Sequence, residues 1–423
     1  MPVQLNLSVR DEPYIAVECE RDEERLMSVF TGSPGLAGTV QPERPAGLGV
    51  ARTWLWATAV RQALVITAVW RVVLALAGIL AYRVLPAGKF TSFSLIRAEG
   101  WPRNPLTVAL DACVRNDAVW FGRIALHGYA YDPHHNSSIA FSPLFPVLMK
   151  LGSLVAGDVF VAGIILANLG LFLSVVLLAR WLDDRGLGDR VPLVTACLLL
   201  FPWSMFYGVM YTESLHLLLV LAIFISYEHR RWMIASAGMF ALFLLHPLSI
   251  VMLPCLAVLW WQMRPSGWYP RLPFIAGLAG TGSFMLYQAV RFGDPLASIQ
   301  TNTLPPWSRT LNQAVADLLL RGQPGIPPWY LALMLAIGVL FLSLVPLVYR
   351  RFGPAYALFV ALNVVGCATS GLTGMDRHVI VAFPVFAAIA VSRGPRFLVA
   401  LFTFEFWLLL FMTMAFEAGW AVY

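Results

Sequence analysis

With 423 residues, 59% of them hydrophobic and only 12% charged, and with a mean hydropathy of +0.72, the chain is too apolar to be a water-soluble domain. Such domains are roughly 45–50% apolar and about 25% charged. The formal net charge of +6 is not a nucleic-acid signature, because the basic residues sit in short loops between apolar runs, where they orient a membrane protein. Cys19, Cys113, Cys197, Cys255 and Cys367 are scattered without CxxC spacing and support neither a disulfide framework nor a metal site.

In chain order, residues 1–50 form a polar tail with eight acidic residues and four arginines, expected to lie in the cytoplasm with little fixed structure. It lacks the basic start and apolar run of a signal peptide. A first span is expected from Gln62 to Leu85. Arg52 and Arg61 before it place the N-terminus inside, and Arg71 within it must face protein or water rather than lipid. The polar stretch 87–158 then forms a long first extracytoplasmic loop. Inside it, DACVRNDAVWFGRIALHGY carries apolar residues at helical spacing and reads as an amphipathic helix on the membrane surface. The segment FSPLFPVLMKLGSLVAG, with Pro143, Pro146 and Lys150, reads as re-entrant or interfacial.

Further spans are expected at 159–181, 191–208, 213–229, 232–247, 249–263, 271–290, 329–349, 353–371, 375–392 and 396–416, with a second large outer loop at 291–328. Residues 51–423 thus read as an all-α polytopic membrane domain of about eleven spans. With that parity the loops RWLDDRGLGDR, EHRRW, QMRPSGWYPR, YRRFG and SRGPR all face the cytoplasm, as the positive-inside rule asks. The polar residues that orientation does not need then gather at the outer ends of spans: Asp111, Asp117, His127, Glu213, His246, Asp294, Trp307, Arg309, Asp376 and Arg377. Such one-sided polarity suggests a reaction on a lipid-anchored substrate. No GxGxxG, Walker A or HExxH pattern is present, and no transporter-type inverted repeat is visible.

The run VRNDAVWFGRIALHGYAYDPHHNSSIAFSPLFPVL resembles the first-loop motif of the PIG-V family of mannosyltransferases, roughly R-W-D, an aromatic, I-A, H-G-Y and F-x-P-x-x-P. Later stretches are similar to that family in the same order: LFPWSMFYGVMYTESLHLLLVLAIF, the RRW loop, FGDPLASIQTNTLPPWSR and GMDRHVIVAFPVFAAIA. The resemblance covers roughly residues 60–395. It implies a GT-C glycosyltransferase taking a sugar from a polyprenyl or dolichyl phosphate at the non-cytoplasmic face, and the composition, with two lysines against many arginines and an excess of Ala, Gly and Val, suggests a bacterial source and so an inner (plasma) membrane. The acceptor would be a membrane glycolipid or cell-envelope glycan. Two residues depart from the pattern: Asn116 stands where the family has tryptophan, and His246 where an arginine often precedes the mid-chain proline.

Such a transfer needs a base for the acceptor hydroxyl, cations for the leaving phosphate and a greasy groove for the lipid. Asp117 is the candidate general base, with Glu213 and Asp111 as secondary candidates. Arg377, His378, Arg309, Trp307, Arg115 and His127 are the candidates for binding donor phosphate or sugar, arginine being suited by its planar fork. Plainer roles stand beside these. Asp117 could pair with Arg115 or Arg123, Asp111 could cap a helix, Glu213 could complement a helix N-terminus, and His127 could be structural. His134 and His135 lack a partner at metal-ligand spacing, and no metal or cofactor is expected. The rival reading is a lipid or solute transporter, or an inactive relative carrying lipid-linked sugar. It calls for many polar residues at mid-depth, where Arg71 is the chief one.

Overall fold

A computed structural model describes residues 46–86, 88, 100, 102–302, 328–369, 372 and 374–420. Arg309, Trp307, Cys19 and most of the expected tail and second outer loop lie outside the described residues. The chain divides into two units, Met1–Arg52 and Thr53–Tyr423, and the second is a bundle of helices.

No strand occurs among the described residues. Four of their helices are long and apolar enough to cross a membrane. They are α1 (Ala46–Val84, apolar from Trp56), α5 (Val159–Asp183), α12 (Pro328–Phe352) and α16 (Pro395–Glu417). A fifth is formed if the bent pair Met375–Val381 and Phe383–Ser392 (α15) counts as one. The protein is therefore an all-α membrane protein. Several expected spans are shorter as helices: α6 (Val191–Leu200), α7 (Glu213–Glu228), α8 (Trp232–Leu245), α9 (Met252–Met263) and α13 (Pro354–Thr369). Between α9 and α12 come α10 (Leu272–Phe292) and the short α11 (Ala297–Asn302). The apolar runs continue through breaks that hydropathy does not register, such as 201–212 and 246–251, where 3₁₀ turns form around Pro202 and Pro247.

The expected surface helix is two helices, α2 (Pro105–Ala112) and α3 (Asp117–His127). Asn104 starts α2 with a capping box to Thr107. The break comes at Asn116, with φ 49° and ψ −117°. This is the first central position of a II′-like turn, closed by the Ala118 N–H on the Arg115 carbonyl at 3.1 Å. Asparagine tolerates positive φ better than most residues, and the turn restarts the chain as a helix whose first residue is Asp117.

The expected re-entrant segment is α4 (Leu144–Ala156), a helix of 13 residues ended by Gly157 at φ 76°. There the chain reverses, and Asp158 caps α5 by accepting from the Phe160 and Val161 N–H groups. Close packing of α5 on α7 depends on Gly170, where a Cβ would come 2.9 Å from Leu215 Cδ2. Small residues at such contacts let backbones approach where burial from water supplies no drive. Ser174 Oγ bonds across the same contact to the Ser214 carbonyl at 3.1 Å.

The five basic loops meet at one end of the bundle. Arg185 pairs with Glu228 at 2.7 Å, and His229 with Asp184 at 2.7 Å. Tyr356 donates to Glu228 at 2.7 Å and accepts from the Trp181 indole at 2.9 Å. Arg351 donates to Ser392 Oγ and Tyr227 to the Pro270 carbonyl. Helix α7 runs from this end, at Glu228, to Glu213, about 22 Å away by helix rise. Of the polar residues singled out from the sequence, Asp117, Glu213, Asp376 and Arg377 lie together at that opposite end.

Candidate active site

Three chain segments far apart in sequence deliver acidic first turns to one place: Asp117 opens α3, Glu213 opens α7, and Asp376 lies in α14 (Met375–His378). Each carboxylate sits where unpaired backbone N–H groups favour negative charge. Between two of them stands Arg377. Its Nη1 donates to Asp117 Oδ2 at 2.5 Å, and its Nε lies 3.8 Å from Glu213 Oε1. Residues 260 positions apart thus form an ion pair.

The surroundings fix both partners. The Tyr211 hydroxyl accepts from the Asp117 N–H and donates to the Arg115 carbonyl, both at 3.3 Å, pinning the start of α3. Burial, and then the neighbouring Asp117 carboxylate, push the Tyr211 phenol well above its ordinary value, so it remains a donor. The ring of Tyr211 lies 5.5 Å below the Arg377 guanidinium carbon. Asp376 is fully buried. One of its oxygens accepts from the Tyr330 hydroxyl of α12 at 2.7 Å, and the other from the Arg377 backbone N–H at 2.8 Å. Gly374, at φ 87°, makes the turn into α14.

Exposure separates the two acids facing Arg377. The Asp117 side chain is 29% exposed and that of Arg377 22%, whereas Glu213 is 3% exposed. Glu213 Oε2 and His216 Nε2, one helical turn on, have no hydrogen-bond partner among the described residues. His216 continues into a row of imidazoles. Its ring centroid is 4.8 Å from that of His246, which is 4.8 Å from that of His378. The His246 Nδ1 accepts from the Leu248 N–H at 3.2 Å, so in the neutral ring the hydrogen sits on Nε2.

Other residues named from the sequence lie apart from this cluster. Arg115 is buried and spent on structure, so it offers no open fork to a phosphate. Its Nη2 meets Asp111 Oδ2 at 3.1 Å, its Nη1 the Asp111 and Val114 carbonyls, and its Nε the Glu417 carbonyl at 3.3 Å. Asp111 accordingly belongs to the last turn of α2, not to a helix start or to the Arg377 cluster. His127 is exposed at the far end of α3, about 15 Å from Asp117 by helix rise. His135 pairs with Asp132 at 2.9 Å, and that bond, after the one from the His134 N–H, holds Asp132 below the ordinary carboxylate range. Arg71 donates to Asn168 Oδ1 at 2.8 Å and Cys113 Sγ at 3.1 Å, facing protein as expected. Asp294 accepts from Tyr131 at 2.9 Å. Among the described residues no three His, Cys, Asp or Glu side chains are grouped to hold a metal.

Sequence reasoning missed His216, Tyr211 and Tyr330. The signal for His216 was present in TESLH, where Glu213 and His216 are spaced i, i+3 and share a helix face. No protein-family model matches the chain, and no curated protein matches it either.

Proposed function

We propose that the protein is a membrane glycosyltransferase that moves mannose from a polyprenyl-phosphate-mannose donor to a lipid-linked or cell-envelope acceptor at the extracytoplasmic face. The observation that carries this reading is the Asp117–Arg377 pair, a partly open carboxylate and guanidinium in direct contact within a membrane protein. In the reaction, the acceptor hydroxyl gives its proton to Asp117 as its oxygen bonds to C1 of the sugar. The bond from C1 to the phosphate oxygen breaks, and the lipid phosphate leaves with the electron pair, its charge held by Arg377. A single displacement inverts C1. Donor phosphate takes the Arg377 nitrogen that Asp117 occupies, and Glu213 stays beneath to hold the guanidinium.

The topology that goes with this reading has about eleven spans, several of them short or broken, with the N-terminus and the five basic loops in the cytoplasm. The grouping of those loops at the end of α7 remote from Arg377 supports it. The test is direct. Purified protein given labelled polyprenyl-phosphate mannose and membrane glycolipid extract moves label to the extract, and the Asp117→Asn variant does not. An inactive wild-type protein under conditions where it binds the donor would overturn the assignment.

A further inference from the structure

Arg377 stands on a half-helix. The run from Met375 through the 3₁₀ turn Val379–Val381 meets α15 at 69°. The chain breaks at Ala382, where φ −75° and ψ 52° are not helical. The reason is in the sequence. In an unbroken helix the Ile380 carbonyl would accept from the N–H of residue 384. That residue is proline, which has no N–H. Ile380 is fully buried, and irregular backbone at membrane depth persists only where protein satisfies its polar groups. Tyr207, also fully buried, does so: its hydroxyl donates to the Ile380 carbonyl at 2.6 Å.

Tyr207 ends the 3₁₀ turn Ser204–Tyr207, in the break between α6 and α7. One interruption thus supplies the donor that another needs. Four residues on, the Tyr211 hydroxyl holds the Asp117 N–H. The short run YGVMY therefore ties down both partners of the ion pair, the carboxylate through Tyr211 and the cation's half-helix through Tyr207. Two further contacts hold the half-helix, the Tyr330 hydroxyl on Asp376 and the His378 ring 4.8 Å from that of His246. Both act before the bend, and the Tyr207 bond acts within the 3₁₀ turn that leads into it. Arg377 precedes Ala382 by five residues. That is about 7.5 Å of helix, so closing the 69° angle would move Arg377 by roughly 8 Å, out of reach of Asp117.

We infer that Tyr207 is a positioning residue: its hydroxyl stands in for the amide that Pro384 lacks and so holds the bend that keeps Arg377 between Asp117 and Glu213. It acts through Arg377, not on a substrate. The bend and its hydrogen bond do not depend on any reaction. The consequence for the donor phosphate, that Tyr207 sets its affinity, rests on the proposed transferase reading. Tyr207→Phe fills the same space and removes only the hydroxyl, leaving a buried carbonyl unpaired. Pro384→Ala returns an amide to that carbonyl, but in a straighter helix that carries Arg377 away.

The experiment compares wild type, Tyr207→Phe and the double variant Tyr207→Phe/Pro384→Ala, each as the purified full chain in detergent. Melting temperature, amide hydrogen exchange, polyprenyl phosphate binding and transfer kinetics are measured on all three. In Tyr207→Phe, exchange should quicken over residues 375–382 and stay as in wild type over α5. Its Kd for polyprenyl phosphate and its donor KM should rise about 3- to 10-fold, the worth of one hydrogen bond, while the acceptor KM does not move. The double variant should regain the wild-type melting temperature and keep the raised Kd. Its Ile380 carbonyl is paired, so it folds even where the single variant does not. Recovery of both melting temperature and Kd in the double variant overturns the proposal, because Tyr207 would then serve stability only. Unchanged exchange over 375–382 in Tyr207→Phe overturns it as well. If wild type binds polyprenyl phosphate but transfers no sugar, a Kd raised in both variants keeps the role of Tyr207 and removes the transferase reading.

Discussion

If Asp117 fills the place that donor phosphate takes on Arg377, removing its charge should have two effects of opposite sign. In the resting protein the guanidinium is bound to Asp117 at 2.5 Å, with both side chains partly exposed. An incoming phosphate must break that contact, and a hydrogen bond between charged groups contributes about 1.5–3 kcal/mol. Asp117→Asn keeps the side chain's shape and removes its charge. The affinity for a lipid phosphate should then rise about 10- to 100-fold, taking about 1.4 kcal/mol as tenfold. Turnover should fall by about 10²–10⁴, the usual worth of a positioned base. Titration of polyprenyl phosphate into wild type and variant gives the first quantity, and initial rates of label transfer give the second. An unchanged or weaker affinity in Asp117→Asn would refute the competition between carboxylate and phosphate, whatever happens to turnover.

The same geometry fixes three other outcomes. Arg115→Ala removes the buried ion pair to Asp111 and the guanidinium bonds to the Asp111, Val114 and Glu417 carbonyls, and should lower stability by about 3–5 kcal/mol. Replacing both residues by methionine and leucine should recover much of that loss in thermal denaturation. Asn116→Gly should keep or raise the melting temperature, whereas Asn116→Val, forced to φ near 49°, should cost about 1–3 kcal/mol. In intact cells, a membrane-impermeant maleimide should label His134→Cys and leave Arg231→Cys unlabelled, the reverse pattern inverting the proposed topology.

Some of this was legible in the sequence because the physics behind it is local or compositional. Lipid as solvent follows from residue content, and the grouping of the basic loops follows from counting parity through the apolar runs. That Asp117 and Arg377 lie at the same face was expected from span parity, and the structure places the two in contact. What stayed hidden depends on single residues. The apolar spacing of DACVRNDAVWFGRIALHGY runs unbroken through Asn116, so periodicity gives one helix where one backbone torsion makes two. Arg115 looked like a phosphate ligand, and only tertiary packing shows that the end of α16 and the last turn of α2 consume it. Tyr330 reaches Asp376 from a different helix, and no sequence spacing reports such a pair.

Two carboxylates flank Arg377, and their surroundings separate their roles. A general base must reach the acceptor hydroxyl from the open cleft. Asp117 has that access at 29% exposure, and Glu213 at 3% does not. Glu213 instead lies on the Nε side of the guanidinium at 3.8 Å, where it can restrain Arg377 after Asp117 lets go. Glu213→Gln should therefore act through the donor, changing its KM while kcat stays within about tenfold of wild type, an interaction common to ground and transition states. Asp117→Asn should act on kcat by the much larger factor that loss of a base entails. A Glu213→Gln variant without turnover, beside an Asp117→Asn variant that still transfers sugar, would exchange the two assignments. It would also require the cleft to open by a movement of α7 that exposes its first turn.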